Sequence, residues 1–368
     1  MVGLQNRQYW IYWQMLMPGA GRRVWDLVNY FGSPKQAWEA AESELSEIPF
    51  IGRDDAKKLV KRRESLQYGK LVEYLKKLNC AVFTIEDEAY PSLLKTIYDP
   101  PPAIFVRGAL PSGENAALAM VGSRQPTPYG LAAAESLAGE LAGAGLTIIS
   151  GMARGIDSAA HRGALKVNGS TVAVLGCGPD VVYPRENERL MKQILEKGAV
   201  LTEFPPGTAP KPWHFPCRNR IISGLSSAVL VVEAAEKSGA LITADFALEQ
   251  GREVLAIPGN INSSKSAGAN KLIRQGARLI TRPADVLEEL GLGDISLHNR
   301  CGKGLDCAGL TGNEKKVMQA LTHLPMSLEQ IIDECRLEPK EVAAALTVLE
   351  LKGFTRILPG KMYAAAGL

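Results

Sequence analysis

Apolar positions along this chain follow two regimes. From Ala116 to about Gly291, short apolar runs alternate with helical patterns; the runs are Ala116 to Val121, Leu146 to Ile149, Thr171 to Leu175, Val200 to Thr202, Ala228 to Val232, Val254 to Ile257 and Arg278 to Ile280. Runs of this length and β-branched content predict buried strands. Between the first two, Leu131, Ala134, Leu137, Ala138 and Leu141 share one helical face, and Gly145 ends the pattern. Such alternation predicts an α/β core over residues 81–290. Its centre is a Rossmann-like, doubly wound parallel sheet whose right-handed crossovers cover both faces.

Outside the core the pattern is helical. Residues 1–80 predict short helices and tight turns, a helical domain of SAM-like or helix-hairpin-helix-like outline. Two turns resemble each other, Pro18-Gly-Ala-Gly21 followed by Arg22 and Arg23, and Pro49-Phe-Ile-Gly52 followed by Arg53. Either they are plain interhelical turns or their N–H groups meet a phosphate. Phe50 counts against contact at the second. Residues 81–115 read as an extended segment, because the prolines at Tyr90-Pro91 and Asp99-Pro-Pro-Pro102 cannot continue a helix. Residues 291–312 are glycine-rich and unpatterned, an interdomain linker. Beyond them lie three helical patterns: Glu314 to Thr322, Leu328 to Cys335 opened by a Ser327/Gln330 capping box, and Pro339 to Lys352. A hairpin turning at Pro359-Gly360 completes the outline of a winged helix over 313–368. Its third helix has few bases for reading a major groove, so duplex DNA and protein contact both stay open.

The length of 368 residues exceeds one ordinary core. No window approaches twenty apolar residues and the start has no secretory pattern, so a cytoplasmic protein without a membrane anchor is expected. The six cysteines are scattered, with no zinc-ligand spacing, and predict free thiols. A formal charge of +3 does not by itself announce nucleic acid. The bases do cluster between Arg53 and Lys77, a run that fits a solvated helix face or a contact surface.

Candidate chemistry gathers where strands end. Loops predicted at strand carboxyl ends are Gly122-Ser123-Arg124, Ser150 to Asp157, Gly176 to Arg185, and the pair Phe215 to Arg220 and Lys237 to Gly239. In a parallel sheet these ends face one way, so the loops converge on a cleft of arginines, Lys237 and glycine backbone suited to phosphates. No P-loop is present, and Gly176-x-Gly178 lacks the third glycine of a dinucleotide fingerprint. No cofactor is therefore expected. Tyr129, Tyr183, Trp213 and Phe215 beside the arginines suit base stacking along a single strand. Asp157 and His161, four apart on a helix, read as a cap and its neighbour rather than an acid-base pair. Glu203 and Glu233 fit either acid-base work or bracing of Arg218 or Arg220.

These residues carry a resemblance to the DNA processing protein A (DprA, also called Smf) family. The motifs are VGSR at Val121 to Arg124, SGMARGID and AAHRGAL within Ser150 to Leu165, and YPREN at Tyr183 to Asn187. They continue with TEFPPG at Thr202 to Gly207, FPCRNRIISGLS at Phe215 to Ser226, and the stretch from Glu233 to Asn260. The resemblance implies a non-enzymatic recombination mediator that binds incoming single-stranded DNA in natural transformation. It also implies a homodimer formed through the Rossmann domain and loading of the RecA recombinase. Carried over, the DNA contacts would fall on Gly122, Ser123, Arg124, Gly151, Arg154, Gly155, Phe215, Arg218, Asn219, Arg220, Lys237, Ser238 and Gly239. The rival is a phosphoribohydrolase cleaving nucleoside monophosphates on a related fold. Its P-G-G-x-G-T-x-x-E signature is replaced here by Lys237-Ser-Gly-Ala-Leu-Ile-Thr243.

Overall fold

The computed structural model describes residues 3–111, 116–293, 311–321, 326–352, 354–358 and 362–365. The chain divides into two compact units, residues 1–297 and 298–368. Most of the expected linker, and the turn at Pro359-Gly360, lie outside the described residues.

The first unit is built on a nine-stranded sheet. Its strands are β1 (Cys80–Thr84), β2 (Ala103–Gly108), β3 (Ala117–Val121), β4 (Thr147–Ser150), β5 (Thr171–Val174), β6 (Ala199–Thr202), β7 (Ala228–Val231), β8 (Glu253–Ala256) and β9 (Arg278–Leu279). They lie side by side in the order β1-β2-β6-β5-β4-β3-β7-β8-β9. From β3 onward every pairing is parallel, with crossovers spreading outward on both sides of the β3/β7 junction. The two preceding strands extend the sheet differently. The segment around the prolines folds into antiparallel β1 and β2, and β2 pairs with β6. The prolines themselves stay outside both strands, where no ladder donor is lost.

Alternation along the strands splits the core in two. Leu118 and Met120 of β3 face the helices Pro128–Gly143 and Ile156–Lys166. Ala117, Ala119 and Val121 face the opposite layer, where Ile221 and Ile222 of the helix His214–Gly224 share one apolar cluster with Trp13, Leu16, Val24 and Leu27. The N-terminal helices thus bury their apolar faces in the same core as the sheet. Gln14 fixes them in place: its Nε2 donates to Glu203 O at 2.7 Å and its Oε1 accepts from Ala103 N at 3.3 Å. Trp25 Nε1 donates to Pro100 O at 3.0 Å.

The first of the two similar turns is an interhelical turn packed inward. Asp99 Oδ1 lies 2.5 Å from where a Cβ on Gly21 would sit, so the N-terminus of the helix Gly21–Phe31 already faces a carboxylate of its own chain. At the second turn, Gly52 opens the helix Arg53–Glu64 into free space, with Phe50 exposed beside it.

Arg220 is the polar centre of this layer. It is 4% exposed and donates to Glu203 Oε1 and Oε2 at 2.5 and 2.9 Å, and to Asp99 Oδ2 at 3.1 Å; Glu203 is fully buried. Burial opposes the charge on Arg220, yet Glu203 and Asp99 hold its pKa above the ordinary arginine value.

In the second unit the helices Gly312–Ala320, Leu328–Cys335 and Pro339–Leu351 pack around Val317, Ile331, Val342, Leu346 and Leu349. A three-stranded sheet of Met326–Ser327, Met362–Ala365 and Thr355–Leu358 completes a winged helix. The Ser327/Gln330 capping box is formed, with Ser327 N donating to Gln330 Oε1 at 2.8 Å.

Removing one member of the buried ion pair leaves the other charge uncompensated, a loss on the order of 3–5 kcal/mol. Arg220→Met is expected to lower the unfolding free energy of the first unit by that amount, read from denaturant titration, and Arg220→Met with Glu203→Leu to recover a large part of it. Equal stability of the single and double variants would count against the pair as the cause.

Candidate nucleic-acid interface

The chain reverses its direction of spread between β3 and β7, and the strand ends there open a crevice. Gly122, Ser123 and Arg124 follow β3 directly. Ser123 N donates to Glu233 O at 2.7 Å, tying the β3 loop to the end of β7. The Glu233 carboxylate accepts from Thr127 N at 3.0 and 3.2 Å and from Thr127 Oγ1, which itself accepts from Gly130 N. Glu233 is therefore a brace for the N-terminus of the helix Pro128–Gly143. Glu203 is spent on Arg220.

The loop after β4 is held from both sides. Gly155 adopts φ +76° against Ser123 O, and Asn187 Nδ2 donates to Met152 O at 2.8 Å and Ser158 Oγ at 2.9 Å. Gly151 is dictated by close approach, since the Arg218 guanidinium lies 2.5 to 2.6 Å from the position a Cβ would take. Arg218 Nη1 donates to Gly151 O at 2.8 Å and to Val174 O, and its Nε to Asn219 Oδ1 at 3.2 Å. Burial pushes the Arg218 pKa down to about 10, against the pull of Asp157, with Arg124 adding repulsion. The group stays cationic at neutral pH. Asp157, which accepts from Ala153 N at 3.3 Å, is raised by burial and drawn back by Arg218.

Phe215 to Arg220 do not form a loop. Residues His214–Gly224 are a helix, and Pro216 falls in its first turn, where no intrahelical donor is lost. Successive helical residues are separated by about 100°, so Arg218 and Arg220 point about 200° apart. Arg218 and Phe215 reach the cleft, whereas Arg220 enters the core and cannot meet a phosphate there. Asn219 lies between, donating through Nδ2 to Gly239 O at 3.3 Å and so linking the cleft to the β7 loop. In that loop Ser238 Oγ accepts from Ala240 N, capping the helix Gly239–Glu249, while Lys237 is exposed.

Arg124, Gly151, Arg154, Tyr183, Phe215 and Arg218 line a shallow open pocket, together with Leu175, Gly176 and Cys177. No carboxylate lines it among the described residues. The Arg124 guanidinium carbon lies 5.4 Å from the centre of the Phe215 ring, and Tyr183 lies 5.3 Å from it at 34°. Arg154 pairs with Glu186, both exposed. Lys237, Ser238, Gly239, Gly122, Ser123, Gly155 and Asn219 surround the pocket without lining it, and Arg185 is exposed outside it. Trp213 is 54% exposed and leans on His214 and Phe204.

Sequence reasoning missed two residues that shape this edge. Asn187 organises the β4 loop and Glu186 restrains Arg154; both sit in the YPREN motif, whose signal was collective rather than attached to either side chain. His161 has no part in the pocket. Its Nδ1 meets Thr171 Oγ1 at 2.7 Å, and since that hydroxyl donates to Ile148 O, His161 donates. Asp157 and His161 join no group of three metal-ligating side chains among the described residues.

The chain thus joins a Rossmann-like core of this strand order to a winged-helix unit after it in sequence. The chain belongs to the DprA/Smf family. Residues 81–291 match the family model for DNA recombination-mediator protein A, and residues 306–361 match the DprA winged helix domain. The protein Smf of Synechocystis sp. is 34% identical, covering 97% of this chain and 98% of its own length. The DNA processing protein DprA of Bacillus subtilis is 45% identical over 56% of this chain and 70% of its own. Among solved structures, DprA from Streptococcus pneumoniae superposes with a TM-score of 0.66 at 36% identity, over 76% of this chain and 97% of that one. DprA from Helicobacter pylori, described for its single-stranded DNA binding mode, gives 0.52 at 29% identity over 58% and 96%.

Burial lowers the His161 pKa to about 3, helped by Arg218 and Arg162. Between about pH 6.5 and pH 3 the unfolded chain binds a proton that the folded protein refuses. The contribution of the neutral ring is thus complete above about pH 6.5 and lost as pH falls below it. His161→Gln is expected to flatten this part of the acid limb in denaturation midpoints taken between about pH 7 and about pH 5. Parallel limbs in the two proteins would show that the ring is not the group responsible.

Proposed function

We propose that this protein is a single-stranded DNA-binding recombination mediator that protects incoming DNA and loads RecA during natural transformation. The observation that carries the reading is the pocket at the carboxyl edge of the sheet. Three guanidinium groups, Arg124, Arg154 and Arg218, line it with the Tyr183/Phe215 aromatic pair; among the described residues the lining itself holds no carboxylate, and Glu186 pairs with Arg154 from outside it. Guanidinium groups neutralise phosphodiesters and an aromatic face accepts a base of any identity. The stretch Lys237-Ser-Gly-Ala-Leu-Ile-Thr243 departs from the signature of the rival hydrolases, which favours binding over chemistry. The similarity to a Helicobacter pylori protein described for its single-stranded DNA binding supports the same ligand.

In this reading Ser123, Arg124, Arg154, Phe215, Arg218 and Lys237 contact the strand, Ser238 and Gly239 flank it, Gly122, Gly151 and Gly155 let the loops pack closely enough to place those side chains, and Asn219 holds the two sides together. Arg220 serves through the core. No helix among the described residues is long and apolar enough to cross a membrane, and action in the cytoplasm is part of the proposal. So is a homodimer through the core.

Binding of labelled oligothymidylate is expected to weaken with salt, each neutralised phosphate adding about 0.7 to the log–log slope. Arg124→Ala is expected to reduce that slope by about the same increment. Phe215→Ala is expected to cost roughly 1–3 kcal/mol of affinity with the slope unchanged. Affinities unmoved by both substitutions would remove the pocket from the binding surface. For the recombinase, strand exchange by RecA against a competing single-strand-binding protein is expected to accelerate with the wild-type chain and not with Arg124→Ala. No acceleration by a chain that binds the strand would overturn the loading role.

A further inference from the structure

The basic run between Arg53 and Lys77 takes no part in the pocket, yet the fold brings part of it to the pocket's rim. The helix Tyr68–Lys77 buries Leu75 and packs Leu71 and Leu78 with Cys80 and Phe105, against β1 and β2. Its outward face carries Lys70, Lys76 and Lys77 with Glu73 as the one acid. At the helical repeat, Lys70 and Lys77 lie four before and three after Tyr74, on one stripe with it. The sole ion pair of this helix and of Arg53–Glu64, among the described residues, is Lys58 with Asp55.

Tyr74 joins this stripe to the cleft. It is 43% exposed, and its hydroxyl donates to Asp180 Oδ2 at 3.0 Å. Asp180 also accepts from Gly207 N at 2.8 and 3.0 Å, and Arg107 Nη1 donates to the neighbouring Pro179 O at 3.0 Å. Pro179 and Asp180 belong to the loop after β5 whose Gly176, Cys177 and Tyr183 line the pocket. One wall of the pocket therefore continues into a surface of unpaired lysines with a half-open aromatic ring at its near edge. Alternation of cations and aromatic faces along one line suits a polyanion carrying bases.

We propose that the Lys70–Tyr74–Lys77 face of the N-terminal helical region is a second contact for single-stranded nucleic acid, continuing the track that begins in the pocket. The inference rests on the single-strand reading above. On this proposal a short strand engages the pocket alone, and a longer one also crosses the Asp180 loop to the lysines.

The test compares Lys70→Glu/Lys77→Glu with wild type in the full chain, using fluorescence anisotropy with oligothymidylates of about 6 and about 30 nucleotides, either side of a single site. Both positions are exposed, and unchanged circular dichroism and melting confirm the fold. The expected result is affinity within about twofold for the short strand and a loss of about tenfold or more for the long one, since two phosphate contacts give way to repulsion. The milder Lys70→Ala/Lys77→Ala is expected to lower the salt slope for the long strand by about 1.4 and leave the short-strand slope alone. Equal affinities of variant and wild type for the long strand overturn the proposal while leaving the pocket reading intact. Equal losses at both lengths overturn it too, since they place the effect within the pocket. Wild-type protein that binds neither length overturns the pocket reading along with this one.

Discussion

Two buried arginines, two residues apart on one helix, organise the first unit. Arg218 and Arg220 leave the helix His214–Gly224 in nearly opposite directions. Arg220 meets the full charge of Glu203 and the partial cover of Asp99; Arg218 meets mainly carbonyl oxygens, of Gly151 and Val174. The difference in partners sets the difference in chemistry. An arginine whose charge is cancelled inside the core stabilises the fold, whereas one solvated by carbonyl dipoles keeps its net positive charge at the floor of a pocket. Burial lowers the Arg218 pKa, against the pull of the nearby Asp157, but only to about 10, so it remains a cation at neutral pH. Carbonyl oxygens thus fix its position without consuming its charge, a preorganised site for an anion.

The Arg220 cluster has a further role. Glu203 follows β6, Asp99 lies before β2, and Gln14 comes from the first helix. One buried network therefore ties the N-terminal helices, the antiparallel edge and the crossover helix together. The N-terminal helices are not free to drift against the core, and their lysines hold a fixed position beside the loop after β5. A surface can extend a binding track only if it is held in register with it, and Gln14, Trp25 and Tyr74 supply that register.

Periodicity alone located all seven parallel strands and the three helices of the winged unit, because burial on both faces leaves uninterrupted apolar runs and an amphipathic helix leaves a repeating stripe. It did less well where prolines crowd the chain. The pair β1 and β2 hides on either side of Asp99-Pro-Pro-Pro102, and nothing local in either strand announces that the edge of β6 is open to receive β2. The helix His214–Gly224 was hidden in the same way: Pro216 reads as a breaker unless it falls in a first turn. That error carried over to the site. In an extended loop Arg218 and Arg220 can both be aimed at the cleft; on a helix they cannot. Glu203 and Glu233 were legible as braces or acids but not as either alone, since their partners, Arg220 and Thr127, lie 17 and 106 positions away.

The site also explains why a Rossmann-like fold can lack a dinucleotide fingerprint. That fingerprint places a pyrophosphate on one helix N-terminus, with glycines clearing the approach. Here the start of the helix Pro128–Gly143 is already covered by Glu233 and Thr127, and the helix Ile156–Lys166 begins beneath Ser123 O, which accepts from Ile156 N. The positive ends that would hold a compact diphosphate are occupied by the protein's own oxygens. What remains is positive charge on side chains distributed along the edge of the sheet, from Lys237 through Arg124 and Arg218 to Arg154, with rings of Phe215 and Tyr183 among them. Charge spread along a line is poorly matched to a single nucleotide, which can engage only one end of it, and well matched to a chain of phosphodiesters whose successive charges are each met in turn. The self-occupied helix starts thus fit the proposed single strand better than a compact diphosphate.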